Sequence, residues 1–164
     1  MPLRQNRPQS RRPRTRPVGA YRRILVPVIG SEASEQAIDL ACQLAAEHRA
    51  SITVITVIEL PAELPLDAHM IEEEADAKRV LSEAQAIGEA YGVSVITRIV
   101  RARMAGEAIV EQASRSEAEI VVLKAPCKRR SSQRTPIFGR TVNFVLKHAP
   151  CRVMVAAESA DASD

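Results

Sequence analysis

Short aliphatic runs alternate with amphipathic stretches along most of the chain, from about residue 24 to residue 156. The aliphatic runs are continuous and rich in β-branched residues, which is typical of strands that are buried on both faces of a sheet. They predict strands at residues 24–29, 51–58, 93–100, 119–124 and 151–156.

The stretches between these runs carry apolar residues at the spacing of one helix face. They predict a first helix through residues 37–45 and further helices at about 67–91, 105–115 and 139–148. The residues expected to face the core are Ala37, Ile38, Ala41, Leu44 and Ala45, then Ala77, Leu81, Ala84, Gly88 and Tyr91, then Ile109, Val110 and Ala113, and last Val142, Val145 and Leu146.

Regular alternation of strand and helix predicts right-handed crossovers and an α/β fold. We expect an open, twisted, five-stranded parallel sheet in the order 3-2-1-4-5, with helices on both faces. In such a sheet, ligands bind beyond the carboxyl ends of the strands, where the strand order reverses. That point lies between the first and fourth strands, and its loops are residues 29–34 and 125–138.

The net charge of +3 is unevenly distributed along the chain. Residues 1–23 contain eight Arg and no acid, and removing them leaves 15 basic against 20 acidic residues, a net charge of −5. The basic balance therefore belongs to a tail and does not indicate a nucleic-acid-binding domain, and no specific nucleic-acid motif is present.

The first 20 residues are rich in Pro and Arg and contain almost no large apolar side chain. Such a segment cannot bury enough surface to offset its ordering entropy, so we expect a disordered tail, whose deletion leaves the fold intact. It is either a solubilising segment or an electrostatic tether to an anionic surface. Residues 21–157 are then one domain, followed by a frayed acidic end at 158–164.

The loop after the fourth strand is strongly basic and runs into the start of a helix. The cations of this region are Lys124, Lys128, Arg129, Arg130, Arg134 and Arg140, and its glycine is Gly139. A helix N-terminus with Arg140 and Thr141 in its first turn is suited to hold an anion. The alternative is that Gly139 only permits a sharp turn and that the cations are solvated. The residues alone leave both interpretations open.

Several segments resemble the universal stress protein (UspA-like) family over about residues 21–157. They are "RRILVPVIGSEASEQAIDLACQLA", "ITVITVIEL", "IVVLKAP" and "IFGRTVNFVLKHAPCRVMVA", in the order and spacing of the family. The family's closing pattern, Gly followed after five residues by Val-Leu-Lys-x-Ala-Pro-Cys-x-Val-x-Val, is matched from Gly139 to Val155. The segment "PIFGRTVNFVLKHAPCRVMV" is most similar to members appended to, or encoded beside, amino-acid permeases and cation antiporters.

The resemblance implies an adenine-nucleotide α-hydrolase-like sheet, a homodimer through the fifth strand, and for many members an ATP site. The positions that the resemblance assigns to this site are Pro27, Val28, Ile29, Val57, Lys124, Gly139, Arg140 and Thr141.

Only two of these positions match residues that the family uses for ATP. Val57 matches the valine that ends the second strand, and Gly139 matches the last glycine of the loop. Ile29 stands where the family has a ribose-binding aspartate, and Lys124 stands at the first loop glycine. Cys127 lies near the second loop glycine, and Arg140 occupies the Ser/Thr position.

The lost glycines predict a degenerate ATP site, because glycine lets the backbone approach phosphate closely. ATP is then a weak cofactor candidate, held mainly by charge. We expect a regulatory protein that acts as a stress-response or transporter-regulating interaction module. Its partners would be a second copy of the chain, and a membrane transporter or an anionic surface reached by the basic tail. The alternative is a sensor of an ATP- or AMP-type nucleotide that uses the basic loop.

Other chemistry is weakly indicated. His48, His69 and His148 are far apart, and no catalytic Ser/His/Asp or Cys/His arrangement is visible, so we expect neither a metal site nor an enzyme. An odd number of cysteines without a CxxC pair indicates a reduced, cytoplasmic protein.

Among the cysteines, Cys42 is expected to be a small core residue. Cys127 lies beside Lys128 and Arg129, which predict a lowered thiol pKa and leave a redox role open. On the second helix, Glu74 and Lys78 have the spacing of a surface ion pair.

Overall fold

The computed structural model describes residues 21–28, 33–124 and 139–156. Its elements, in chain order, are β1 (Arg23–Val28), α1 (Ala33–His48), β2 (Ser51–Glu59), α2 (Ile71–Tyr91), β3 (Val95–Ala102), α3 (Ala105–Arg115), β4 (Ile120–Lys124), α4 (Arg140–His148) and β5 (Arg152–Ala156). The predictions about the N-terminal tail, Ile29, the basic loop 125–138 and the C-terminal end lie outside the described residues.

The strands form one parallel sheet in the order β3-β2-β1-β4-β5. This confirms the predicted fold class and places β5 and β3 at the two edges. In the register of the sheet, Val28 lies opposite Thr56 and Lys124 lies opposite Ala156. The carboxyl ends of β1, β2 and β4 therefore lie at the same edge of the sheet.

Each face of the sheet is covered by two helices, which create two separate apolar layers. On one face, Val26 and Val54 of the sheet pack with residues of α1 and α2 such as Ile38 and Leu81. On the other face, Leu25 packs with residues of α3 and α4. Alternate residues of a strand point to opposite faces, so the continuous aliphatic runs supply both layers at once.

Two residues expected in the core are instead exposed. Tyr91, in the last turn of α2, is 37% exposed, and its hydroxyl donates a hydrogen bond to the Asp39 carboxylate of α1. Leu146 of α4 is 43% exposed, because this short helix buries a narrow stripe formed by Val142 and Val145. Cys42 is fully buried, which confirms its predicted place in the core.

Two predicted boundaries are wrong for local reasons. Helix α2 begins at Ile71 rather than near residue 67, because the Ala68 N–H bonds the Pro65 carbonyl at 3.0 Å in a turn. Strand β3 begins at Val95 rather than at residue 93. Gly92 ends α2 in the left-handed region at φ 67°, and the Val93 N–H then bonds the Gly88 carbonyl at 2.9 Å. This geometry is that of a glycine C-cap.

The predicted pair between Glu74 and Lys78 on α2 is also wrong. Glu74 accepts a hydrogen bond from Arg101 of the edge strand β3, and His69 Nδ1 lies 3.7 Å from the same carboxylate oxygen. The carboxylate therefore joins the start of α2 to β3 rather than to the next turn of its own helix.

Candidate functional site

A cavity of about 300 Å³ opens where the starts of α3 and α4 converge on the end of β2. We call it the α3–α4 cavity, and it is lined by Glu59, residues 103–106, Arg140, Thr141 and Phe144. Its volume is at the lower end of the range of small-molecule sites, about 300–1,000 Å³.

Helix α4 presents its N-terminus and two polar side chains to this cavity. Gly139 is the N-cap and has an extended backbone at φ −62° and ψ 167°, so its own conformation does not require glycine. The positive end of the helix dipole favours an anion at this point. Within the described part of the chain, no hydrogen bond or ion pair engages the Arg140 guanidinium, which leaves its donors available to a ligand.

Helix α3 begins against a carboxylate supplied by β2. The Ala105 N–H donates a 2.7 Å hydrogen bond to Oε1 of Glu59, while the N-cap residue Met104 makes no side-chain cap. An acidic group at a helix N-terminus is stabilised by the dipole and satisfies one orphan donor. Glu59 thus caps α3 and adds a negative charge to the wall of the α3–α4 cavity.

Arg103 fixes the connection between β2 and α2 beside the same cavity. Its guanidinium donates to the carbonyls of Leu60, at 3.3 Å, and of Leu64, at 2.6 Å, and it also bonds the Pro61 carbonyl. Because these bonds hold the guanidinium against three backbone oxygens, Arg103 supports the cavity wall.

A second cavity, of about 240 Å³, lies on the other face of the sheet at the carboxyl ends of β1 and β2. We call it the β2–α2 cavity, and it is lined by Val28, residues 56–59, Glu73, residues 76–77 and residues 79–80. The Oγ1 atom of Thr56 is buried there and has no hydrogen-bond partner among the described residues.

Acidic side chains dominate the polar lining of the β2–α2 cavity. Glu73 and Asp76 contribute carboxylates, and the single basic residue of the lining, Arg79, bonds Glu83 at 2.9 Å. The cavity is therefore poorly suited to a highly charged anion, since like charges repel and no unpaired cation lines it.

The structure places the residues that the resemblance assigned to a cofactor site in three groups. Arg140 and Thr141 line the α3–α4 cavity, whereas Val28 and Val57 line the β2–α2 cavity. The remaining described residues line neither cavity: Pro27 is buried within β1, Lys124 ends β4, and Gly139 precedes α4.

Sequence reasoning missed Glu59 and Arg103, the two charged residues that shape the α3–α4 cavity. The signal for Glu59 was a carboxylate at the very end of an apolar strand, at the edge where ligands bind. No comparable signal identified Arg103, because its acceptors are carbonyls about 40 positions earlier in the chain.

Neither a metal-binding cluster nor a membrane-spanning helix occurs in the described ranges. No three His, Cys, Asp or Glu side chains converge there in a way that would hold a metal ion. None of the helices in residues 21–28, 33–124 and 139–156 combines the length and apolar character needed to cross a membrane.

Comparison with known proteins identifies the family. The profile of the Universal stress protein family matches residues 20–157. Universal stress protein MJ0531 of Methanocaldococcus jannaschii is 29% identical over 143 residues, covering 82% of this chain and 81% of that protein. The structure of UspA from Lactobacillus plantarum is 27% identical, with a TM-score of 0.65, and covers 82% of this chain and 97% of that chain. The universal stress protein from Archaeoglobus fulgidus in complex with dAMP is 20% identical, with a TM-score of 0.65, and covers 83% and 98%. The predicted resemblance is confirmed, and the chain belongs to the universal stress protein family.

Proposed function

We propose that the chain is a regulatory, non-enzymatic protein of the universal stress type that binds a small anionic group in the α3–α4 cavity. The observation that carries the proposal is that Arg140 and Thr141, in the first turn of α4, line this cavity together. The helix dipole, the Arg140 guanidinium and the Thr141 hydroxyl can therefore all interact with one bound anion. Hydrogen bonds between an anion and a charged donor are stronger than those between neutral groups.

The same geometry supports a degenerate ATP site. A polyphosphate in the α3–α4 cavity would lie near the Glu59 carboxylate, and a nucleoside in the β2–α2 cavity would face Glu73 and Asp76. With Ile29 and Lys124 in place of the family's aspartate and glycine, two or more contacts of about 1–3 kcal/mol each are lost. At about tenfold in affinity per 1.4 kcal/mol, this loss converts micromolar into millimolar binding.

A nucleotide sensor is the second candidate function. It is favoured by Val28, which lines the β2–α2 cavity at the end of β1 and offers apolar surface to a base. The Archaeoglobus fulgidus protein, which shares the fold, was solved with dAMP. A monophosphate carries less charge than ATP, so the acidic lining opposes it less.

The regulatory action would be exerted through partners in the cytoplasm. A homodimer through β5 and a transporter or anionic surface contacted by the basic tail are the partners that the sequence favours. In this role the bound anion would change the partner contacts rather than undergo a reaction.

Calorimetric titration of the full chain with ATP, AMP and inorganic phosphate, at low and physiological salt, tests the proposed function. We expect millimolar binding of all three ligands, little selectivity for adenine, and a marked loss of affinity with salt, because exposed charges are screened. Arg140→Gln should abolish the binding, whereas Lys147→Gln, at the opposite end of α4, should leave it unchanged. Low-micromolar, adenine-selective binding that survives physiological salt would overturn the degenerate site and establish the sensor.

A further inference from the structure

Opposite charges line one small cavity in this protein. Glu59 at the end of β2 and Arg140 at the start of α4 both border the α3–α4 cavity of about 300 Å³. An anion attracted by Arg140 therefore also meets a carboxylate, and an amine attracted by Glu59 also meets a guanidinium. A ligand that carries a single sign of charge satisfies only one of the two residues.

Glu59 keeps hydrogen-bonding capacity after it has capped α3. The Ala105 N–H bonds Oε1 at 2.7 Å, and an ionised carboxylate offers two oxygens with about four acceptor sites in all. An ammonium group can therefore donate to the remaining acceptor sites of Glu59 while α3 stays capped.

The other cation of the wall does not cancel this arrangement. The guanidinium of Arg103 directs its donors to the carbonyls of Leu60, Pro61 and Leu64. Arg103 keeps its positive charge, because its acceptors are neutral carbonyls, but these bonds hold it against the backbone. Arg140 is the guanidinium of the lining that no described residue bonds, so Glu59 and Arg140 are the groups best placed to pair with the two ends of a ligand.

The rest of the lining fits an uncharged aliphatic body. Met104, Ala105 and Phe144 supply apolar and aromatic surface, and Thr141 supplies a hydroxyl near the start of α4. Small-molecule sites commonly combine an apolar wall with a few polar groups that fix the orientation of the ligand.

From this constellation we propose that the α3–α4 cavity binds a small zwitterion, of the chemical class of a free α-amino acid with an apolar side chain. The ligand's ammonium group contacts Glu59, and its carboxylate contacts Arg140 and Thr141. The inference rests on the proposed anion site at Arg140 and adds the class of ligand that the site prefers.

The test is calorimetry on the full chain with four probes: leucine, N-acetyl-leucine, isoamylamine and inorganic phosphate. N-acetyl-leucine lacks the ammonium group and isoamylamine lacks the carboxylate, while both keep the branched aliphatic body. We expect leucine to bind at least about tenfold more tightly than each of the other three probes, since it alone can pair with both Glu59 and Arg140 through charge-assisted hydrogen bonds.

Three variants assign the preference to the two charges. In Glu59→Gln, the amide oxygen can still accept from Ala105 N–H, so the charge is removed while the cap of α3 is kept. This variant should lose the preference for leucine over N-acetyl-leucine. Arg140→Gln should weaken leucine, N-acetyl-leucine and phosphate alike. Glu63→Gln, an exposed acid that lines neither cavity, is the matched control and should bind as the wild type does.

The binding results test the zwitterion site and the anion site separately. Arg140-dependent binding in which phosphate or N-acetyl-leucine equals or exceeds leucine would overturn the zwitterion site and leave the anion site standing. Absence of Arg140-dependent binding for all four probes would overturn both. The ranking of the probes on the wild-type chain decides the inference even if Glu59→Gln fails to fold.

Discussion

Gly106 of α3 lies directly against the ring of Phe144 in α4, so closely that a Cβ atom on Gly106 would come within 2.8 Å of Phe144 Cδ1. Gly106 is a buried residue in the first turn of α3, and a glycine in a helix costs up to about 1 kcal/mol relative to alanine. Glycine at this position therefore serves to let α3 and α4 approach each other closely. Because Gly106 and Phe144 also line the α3–α4 cavity, their contact sets the spacing of the cavity walls.

Gly106→Ala should destabilise the protein by about 1 kcal/mol. Overpacking a well-packed contact costs about 1–3 kcal/mol, and the better helix propensity of alanine offsets roughly 1 kcal/mol of this cost. The free energy of unfolding measured in urea checks the prediction. Phe144→Leu in the same background should recover part of the loss, while Glu107→Ala, on the exposed side of α3, should change little. A more stable Gly106→Ala variant would contradict the close contact.

Arg103→Met should loosen the connection between β2 and α2. The substitution removes the donors to the Leu60, Pro61 and Leu64 carbonyls and leaves them to water. We expect a loss of about 1–2 kcal/mol in stability, since the site is exposed and hydrogen bonds to charged groups contribute modestly there.

Hydrogen exchange followed by mass spectrometry tests the location of this effect. Exchange should become faster in residues 60–68 and stay unchanged in α1. Arg98→Met, on the exposed part of the preceding strand β3, is the matched control because no described residue bonds Arg98. Unchanged exchange in the connection would show that Arg103 does not hold it.

Glu74→Gln should alter the response of the protein to acid. The hydrogen bond from Arg101 holds the pKa of Glu74 below its ordinary value of 4.5. A carboxyl whose pKa is lowered on folding contributes stability above its ordinary pKa, and this contribution is lost as the pH falls through the folded value. The wild type should therefore exceed the variant in thermal midpoint at pH 7, and the difference should shrink below about pH 4.5.

The matched control for this prediction is Glu72→Gln, because Glu72 is an exposed acid in the same first turn of α2. A difference between wild type and Glu74→Gln that stays constant from pH 7 to pH 3 would contradict the role of the Arg101 hydrogen bond.

Cys42 should be unreactive in the folded protein. Burial raises the pKa of its thiol to about 11, and the nearby Asp39 carboxylate adds to the shift. At pH 8 only about one thiol in a thousand is then ionised, and the thiolate is the nucleophile. Because the pKa is raised on folding, the associated stability is present below pH 9.0 and is lost as the pH rises towards 11.

Iodoacetamide labelling, resolved by peptide, measures this prediction. Cys42 should be labelled in urea but not in native buffer over the same time. Cys127, for which the sequence predicts a lowered thiol pKa, supplies the fast comparator. Equal labelling of Cys42 in urea and in native buffer would refute its burial.

The edge strand β5 should pair with its copy in a second chain. Val153, Met154 and Val155 are only partly buried at this edge, and apolar edges of this kind are usually covered. Sedimentation at tens of micromolar should give twice the chain mass. Val153→Pro, which removes a ladder donor, should give a monomer with retained helical circular dichroism. Arg98→Pro at the opposite edge, in β3, should keep the dimer, and a monomeric wild type would exclude a stable dimer.

The sequence predicted the strands, the helices and most of the core stripes well because these depend on local periodicity, whereas the strand order followed from the alternation of strand and helix and from the family resemblance. Helix α3 was placed at its observed bounds, and the residues predicted to be buried in it include Ile109 and Ala113. Besides the two boundary errors, which had local causes, one core residue was misplaced because a tertiary contact overrides the local pattern. Tyr91 lies at helical spacing for burial, yet its hydroxyl turns to Asp39 at the surface.

The charged groups of the candidate site were harder to predict than the fold. Arg140 and Thr141 were identified because they follow a glycine at the start of a helix, which is a local signal. Glu59 and Arg103 act on partners that are distant in sequence, and only the arrangement of loops at the sheet edge brings these partners together. Such pairings leave no periodic trace in the sequence.

The hydrogen bond that caps α3 makes the stability of this helix depend on the formation of the sheet. The Ala105 N–H depends on a carboxylate 46 positions earlier, at the end of β2. A nascent α3 therefore lacks this acceptor until β2 and β3 are aligned, with Glu59 opposite Ala102 in the register of the sheet. Short isolated helices are marginal in water, so this 11-residue helix should form together with the sheet rather than before it. Glu59, which gives the α3–α4 cavity its negative charge, therefore also makes α3 fold cooperatively with the rest of the domain.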